Sequence, residues 1–389
     1  MRLKLAVFFG GKSVEHEISV ITALQAVAAL DSEKYDVLPV YITKDNAFYI
    51  GGDVGKIEAY RDIPALLKKS RQVVPARLGG KAVLLRAAKG KVLAQLDCAF
   101  PIVHGTNVED GTLQGLLRLL GVPFVGCDVT ASALGMDKFA QKCVFQCAGI
   151  PVLDCVAVQA AQYDMDPDAA LAKIEALGYP VVVKPVNLGS SVGISKAGGR
   201  EALEKALELA FRFAQRVLIE PAVQNLREIN CAVLGDADEA RASVCEEPLN
   251  ADEILSYENK YLAGGKSKTP QAGKGMASLD RKIPAGIPEA LAAKIQNLAV
   301  TAFQALDCNG VARIDFLMDG ATGAVWLNEI NTIPGSLSFY LWEASGLPYP
   351  KLLDEMVALA FRRQRGQEDL LFSFDTNVLA NANLGGAKK

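Results

Sequence analysis

VARIDFLMDGATGAVWLNEIN, residues 311–331, is the stretch on which the fold reading turns. Polar and apolar residues alternate on both sides of a DGATG turn, the period-two signature of paired strands. Alternation puts Arg313 and Asp315 on one face of the first strand, and Glu329 and Asn331 on one face of the second. If the strands pair through the turn, two carboxylates, an amide and a guanidinium converge. Oxygen donors of this kind suit Mg²⁺, which takes one or two carboxylates plus phosphate oxygens of a substrate. Arg313 beside them can stabilise charge on a transferring phosphoryl group or an oxyanion. Alternation alone favours a plainer reading, a hairpin with its polar face in water. Phosphate-directed material elsewhere in the chain reverses that balance.

That material begins with VVVKPVNLGSSVGISK (181–196). Lys184 ends an apolar strand, and Gly189, Ser190, Ser191 and Gly193 make a pliable turn whose backbone N–H groups can cover phosphates. It is not a P-loop, because GxxxxGK[ST] is absent. Lys138, in the helical segment MDK, and Glu220 and Glu228, on either side of PAVQNLR, each read singly as surface charges. At the amino end, LKLAVFF (3–9) is a buried parallel strand that empties into Gly10-Gly11. No GxGxxG follows, and Glu15 and Glu17 would repel a pyrophosphate at that helix start. A carboxylate there suits an ammonium group, although Glu17 is equally explained as a partner of the helix dipole.

Working outward, strands at 3–9, 35–43 and 98–105 alternate with helices, the first capped by Ser13 and the second by Asp110. This is an α/β, Rossmann-like unit over 1–126, with function expected at the carboxyl ends of its strands. A second unit over 127–220 holds the MDK helix and the glycine turn. A third, 221–365, holds the hairpin and a polar stretch suited to a closing lid at 250–268. The tail, 366–389, lacks periodicity and is expected to be disordered.

Composition removes other classes. The net charge of -3 argues against nucleic acid or an anionic membrane as principal partner. No apolar run reaches the ~18 residues a membrane span needs, and glycines and Lys12 break the opening apolar stretch before it resembles a signal peptide. The eight cysteines form no CxxC and there are two histidines, so reduced structural thiols in the cytoplasm are expected and zinc is not.

FGGKSVEHEIS, HGTNVEDGTLQG, the MDK helix, KPVNLGSSVGISK, EPAV with REIN, YENKY, and RIDF with NEINTIPG occur in that order. Together they resemble the D-alanine–D-alanine ligases of the ATP-grasp superfamily, over nearly the whole chain to about residue 365. The resemblance implies an ATP-grasp fold behind a Rossmann-like domain. It also implies ATP-driven joining of two D-alanines through a D-alanyl phosphate, for peptidoglycan precursors. Glu15 then resembles the acid that holds the first ammonium, and His104 the histidine near that substrate's carboxylate. Lys138, Lys184, Gly189, Ser190, Ser191 and Lys260 match the phosphate-binding set, Glu220 and Val223 the adenine hinge, and Glu228 the ribose carboxylate. Asp315, Glu329 and Asn331 match ligands of two Mg²⁺ ions, for which Mn²⁺ can substitute. Arg313 and the N–H of Gly335 match the oxyanion site, and Ser190 with Tyr261 the pair that links the glycine loop to the lid. The family is commonly a homodimer.

After NTIPG this chain reads SLSFYLWEASG, shorter than the family's usual serine-bearing stretch. Ser336, Ser338 and Tyr340 are the candidates to meet the second substrate, and D-serine or another small amine stands as the alternative to D-alanine. YENKY lacks the lid histidine of D-lactate-using ligases. A nucleotide-binding regulator without catalysis is the alternative from a different class. A nicotinamide-dependent dehydrogenase is disfavoured by the missing GxGxxG.

Overall fold

Leu5–Phe9 are fully buried because a strand covered on both faces needs an apolar side chain at every position. They form the core of β1 (Leu3–Gly10), in a computed structural model that describes residues 2–189, 192–249, 281–373 and 377. The first unit continues with α1 (His16–Ala29), β2 (Tyr35–Ile42), β3 (Phe48–Ile50), α2 (Ile63–Lys69), β4 (Arg71–Leu78), β5 (Lys81–Arg86), β6 (Val92–Gln95), β7 (Cys98–Pro101) and α3 (Thr112–Leu120). Its sheet runs β6-β5-β4-β3-β2-β1-β7. β1, β2 and β7 are parallel, and the remaining pairs are antiparallel. The strands β4–β6 fall in what reads as a loose basic stretch. Charged residues and Pro75 interrupt their alternation, and Val74 and Leu78 face solvent.

The second sheet is antiparallel and smaller. It is preceded by α4 (Val129–Met136) and α5 (Lys138–Cys147) and built from β8 (Val156–Gln159), α6 (Ala160–Met165), α7 (Pro167–Glu175), β9 (Val181–Pro185), β10 (Ser195–Ala197), α8 (Arg200–Phe211) and β11 (Arg216–Pro221). Its strand order is β10-β9-β11-β8, so β9 and β10 are paired across the glycine turn as the sequence suggests. The third comprises β12 (Leu226–Gly235), β13 (Ala240–Pro248), β14 (Arg281–Lys282), α9 (Glu289–Ala305), β15 (Gly310–Asp319), β16 (Val325–Asn331), a 3₁₀ turn at Gly335–Ser338, α10 (Phe339–Ala344) and α11 (Tyr349–Glu368), in the order β14-β13-β12-β15-β16.

Three cores result, and their membership differs from the sequence units. Residues 127–150, grouped by sequence with the second sheet, pack Ala131, Phe145 and Ile150 into the core of the third. Met356, Val357 and Ala360 of α11 join the core of the first sheet, so the last helix ties the carboxyl unit to the amino unit. It runs to Glu368, three residues past the expected end of the third unit at 365, and the proposed lid at 250–268 lies outside the described residues. Two caps also differ. α1 begins at His16 with no side-chain cap, because the Ser13 hydroxyl accepts from Glu15 N at 3.0 Å instead. Gly111 occupies the cap position of α3, and Asp110 accepts from Thr112 N at 3.2 Å. Cys143 and Cys147 are exposed, not core. α5 turns Lys138, Gln141, Lys142 and Phe145 inward, an inverted polarity that an apolar-stripe reading misassigns.

Candidate active site

β15 and β16 pair antiparallel with Arg313 opposite Asn331 and Asp315 opposite Glu329, so the four side chains share one face. Arg313 donates to both Asp315 oxygens at 2.7 Å, and Asn331 Nδ2 donates to Asp315 Oδ2 at 3.0 Å. Burial would pull the Arg313 guanidinium down, but the Asp315 carboxylate outweighs it and holds the arginine well above its ordinary pKa. Burial pushes the Asp315 carboxyl up against the opposing field of Arg313. The register extends further than the hairpin. Asn230 stands opposite Asp315 and Glu246 opposite Asn230, so Glu246, Asn230, Asp315 and Glu329 form one cross-strand row. Glu228, two residues before Asn230, belongs to the same face of β12.

Asp137 caps α5 by accepting from Phe139 N and Ala140 N, which aims Lys138 inward. Its ammonium lies 2.8 Å from Glu329 Oε2 and donates to Leu188 O at 2.7 Å. One cation thus joins the acidic hairpin to the residue that precedes Gly189. Burial alone would raise the Glu329 carboxyl, and Lys138 brings it below the ordinary value. Lys184, at the end of β9, donates to Asn328 Oδ1 at 2.9 Å and pairs with Glu220 Oε2 at 2.5 Å. Glu220 is 1% exposed and also pairs with Lys142, which is 2% exposed. Sequence reasoning missed Lys142, yet the signal was present: it lies one helical turn after Lys138 and shares its face. Val223 is half-buried in the segment just after β11.

On the amino side, Gly105 has φ +83°, and a Cβ there would stand 2.2 Å from Ser13 Oγ and 2.8 Å from Glu15 Oε2. A Cβ on Gly189 would stand 2.8 Å from the same Glu15 oxygen. The glycine loop therefore begins against the carboxylate that the sequence assigns to an ammonium. His104 is buried, meets Thr22 Oγ1 at 3.2 Å, and burial pulls its pKa down to about 4. Neutral imidazole is the resting form. The other histidine, His16, is buried between Gly11 O and Tyr41 OH, a structural role. Glu17 is a surface partner of Lys44.

Glu109, unremarked in the sequence, is a buried acid that binds two loops. It accepts from Gly105 N at 2.9 Å and, across the site, from Ile333 N at 3.0 Å and Thr332 Oγ1 at 3.2 Å. Burial, with the nearby charge of Glu15, pushes its pKa up to about 8.

Next to Ile333 the chain enters the Gly335–Ser338 turn. Ser336, Leu337 and Ser338 have φ of 52°, 50° and 49°, three consecutive side-chain-bearing residues in the left-handed region. Each costs about 1–2 kcal/mol of backbone strain, so the turn has to be held by its surroundings. Ser336 N donates to Thr22 Oγ1 at 3.1 Å, and its hydroxyl donates to Gln25 Oε1 at 2.8 Å. Tyr340 OH donates to Glu246 Oε1 at 3.1 Å. Ser190, Ser191, Lys260 and Tyr261 lie outside the described residues.

Among the described residues, no three His, Cys, Asp or Glu side chains gather in a metal-holding cluster, and no helix is long and apolar enough to cross a membrane. The donor set of the hairpin nonetheless fits a hard divalent cation. Two carboxylates and an amide come from paired strands, next to two lysines able to meet phosphate.

Residues 4–127 match a family model described as the D-ala D-ala ligase N-terminus, and residues 144–358 one described as the D-ala D-ala ligase C-terminus. A D-alanine–D-alanine ligase of Thermoanaerobacter sp. is 43% identical over 366 residues, covering 92% of this chain and 96% of the relative. One of Acetivibrio thermocellus is 40% identical with the same coverage. Among solved structures, the D-alanine-D-alanine ligase from Coxiella burnetii superposes with a TM-score of 0.78 at 32% identity, covering 94% of this chain and 96% of that one. The VanG D-Ala:D-Ser ligase from Enterococcus faecalis gives 0.77 at 32% identity, covering 92% and 100%.

Proposed function

The chain belongs to the D-alanine–D-alanine ligase family, with its ATP-grasp fold, and from that premise we propose how its own residues carry the reaction. It is an enzyme that uses ATP to join two D-alanine molecules, a product for peptidoglycan synthesis. D-serine as second substrate is not favoured, since full-length relatives at 37–43% identity carry the D-alanine–D-alanine name.

A carboxylate is a poor electrophile. The first D-alanine's carboxylate attacks the γ-phosphorus of ATP, ADP departs, and an acyl phosphate with a good leaving group remains. Glu15 receives the ammonium of that substrate, and neutral His104 sits near its carboxylate. Lys138 and Lys184 meet the triphosphate under the backbone of the loop at Gly189, Ser190 and Ser191, and Lys260, from the lid segment, faces phosphate. Glu220 and Val223 flank adenine and Glu228 meets ribose. Asp315, Glu329 and Asn331 hold Mg²⁺, which neutralises phosphate charge when bound. The second amine attacks the acyl carbon, Arg313 and Gly335 N–H stabilise the oxyanion, and inorganic phosphate leaves. Ser336 meets the second substrate, and Tyr261 links Ser190 to a lid that excludes water from the acyl phosphate. Units at 1–126, 127–220 and 221–365, two metal ions replaceable by Mn²⁺, a cytoplasmic setting and a homodimer complete the proposal.

The observation that supports it best is the Lys138 ammonium, within 2.8 Å of both Glu329 and Leu188 O, where the acidic hairpin meets the glycine loop. The test is incubation with Mg-ATP and D-alanine, with and without D-serine or D-lactate, reading products by mass and phosphate release. D-alanyl-D-alanine with one phosphate per dipeptide is expected. No ATP turnover with any pair would instead favour the nucleotide-binding regulator.

A further inference from the structure

We infer that Glu246 is a positioning residue for acyl transfer, fixing the far end of the Gly335–Ser338 turn through Tyr340. This rests on the reading above that the turn supplies an oxyanion N–H and meets the second D-alanine.

Glu246 is 1% exposed and ends the cross-strand row that contains Asn230, Asp315 and Glu329. A buried carboxylate persists only where it is paired and hydrogen-bonded. Here the partners come from three different elements. Asn230 Nδ2 on β12 donates at 3.2 Å, Arg281 Nη1 on β14 at 2.7 Å, and Tyr340 OH on α10 at 3.1 Å. The Arg281 guanidinium also lies 4.1 Å from the centre of the Tyr340 ring, so the ring is held from its face and from its hydroxyl.

Tyr340 stands two residues beyond Ser338. The three left-handed residues between it and Gly335 relax unless the segment is pinned at both ends. The near end is pinned on α1, where Ser336 bonds Thr22 and Gln25. The far end is pinned by Glu246. Its position in the row also sets the turn relative to Asp315 and Arg313, because the sheet register links them rigidly. Slack at Tyr340 is therefore expected to misplace Gly335 N–H and Ser336, while Lys138 and Lys184 remain where they are. Even a misplacement near 1 Å costs about 10²-fold in a positioned reaction.

The experiment compares wild type, Tyr340→Phe, Glu246→Gln and the double variant in steady state, varying ATP and D-alanine separately and resolving the two D-alanine sites. Tyr340→Phe deletes one oxygen, and Glu246→Gln keeps the side-chain shape. Each single change should lower kcat/KM for the second D-alanine at least tenfold, with the KM for ATP within twofold. The double variant should be little worse than the worse single, because both break one link. A buttress of the fold alone would instead raise the KM for ATP alongside that for D-alanine, and this outcome overturns the inference. So does a Tyr340→Phe protein within twofold of wild type on every constant. If Glu246→Gln does not fold, Tyr340→Phe decides by itself. A wild-type protein that forms no D-alanyl-D-alanine would overturn the reaction reading; active wild type with indifferent variants overturns only the role of Glu246.

Discussion

Replacing Glu220 by Gln tests the electrostatics that hold the second sheet to α5. Glu220 is 1% exposed between Lys142 and Lys184. An amide keeps the shape and leaves two buried ammonium groups facing a neutral partner. Removing one member of a buried ion pair costs about 3–5 kcal/mol. Lys184 retains Asn328 Oδ1 at 2.9 Å, which argues for the lower end of that range. The pH dependence carries its own sign. Burial would raise the Glu220 carboxyl, but Lys184 and Lys142 outweigh it and hold it below its ordinary 4.5. Its contribution is present above 4.5 and is lost as pH falls through the lowered value. Burial would lower Lys184, but Glu220 outweighs it and holds the ammonium above its ordinary 10.5, so that contribution is lost as pH rises through the raised value. The stability difference between wild type and Glu220→Gln should therefore be level from about pH 5 to about pH 10 and shrink outside that window. Urea unfolding without nucleotide, across this pH range, reads it directly. A difference under about 1 kcal/mol at neutral pH, or one that persists undiminished in acid, refutes the reasoning.

Three other outcomes are expected. Glu329→Gln should lower kcat by about 10²–10³, the scale set by losing one group aimed at developing charge, and chelating divalent metal should stop turnover of the wild type; near-normal turnover in either case removes Glu329 from the metal site. Glu15→Gln should raise the KM of the first D-alanine about tenfold or more through loss of one charged pair, with ATP use unchanged, and equal effects on both substrates would count against it. Glu109, raised from 4.5 to about 8 by burial and by Glu15, stays protonated in the fold while the unfolded chain ionises. Wild-type stability should thus fall between those two pH values and Glu109→Gln should flatten the fall, whereas a level wild-type curve would dismiss the raised acid.

The sequence by itself determined the elements whose signal is local. The pairing of β15 with β16 follows from alternation about a short turn, and the hairpin of β9 and β10 from strands on either side of glycine. Continuous apolar runs marked β1 and its parallel neighbours because burial on both faces leaves no other composition. Tertiary structure alone decided what those elements meet. Lys142 points inward, and Cys143 and Cys147 outward, because α5 packs its polar face toward the site; four-residue spacing puts Lys142 on the face of Lys138, but only packing decides that this face turns inward. Nothing local in the sequence marks Glu109 or Glu246, since burial of a carboxylate depends on donors far away in sequence: Ile333 for one, Arg281 and Tyr340 for the other. Local pattern fixes a strand's faces; only the closing of the chain fixes which charges are taken out of water together.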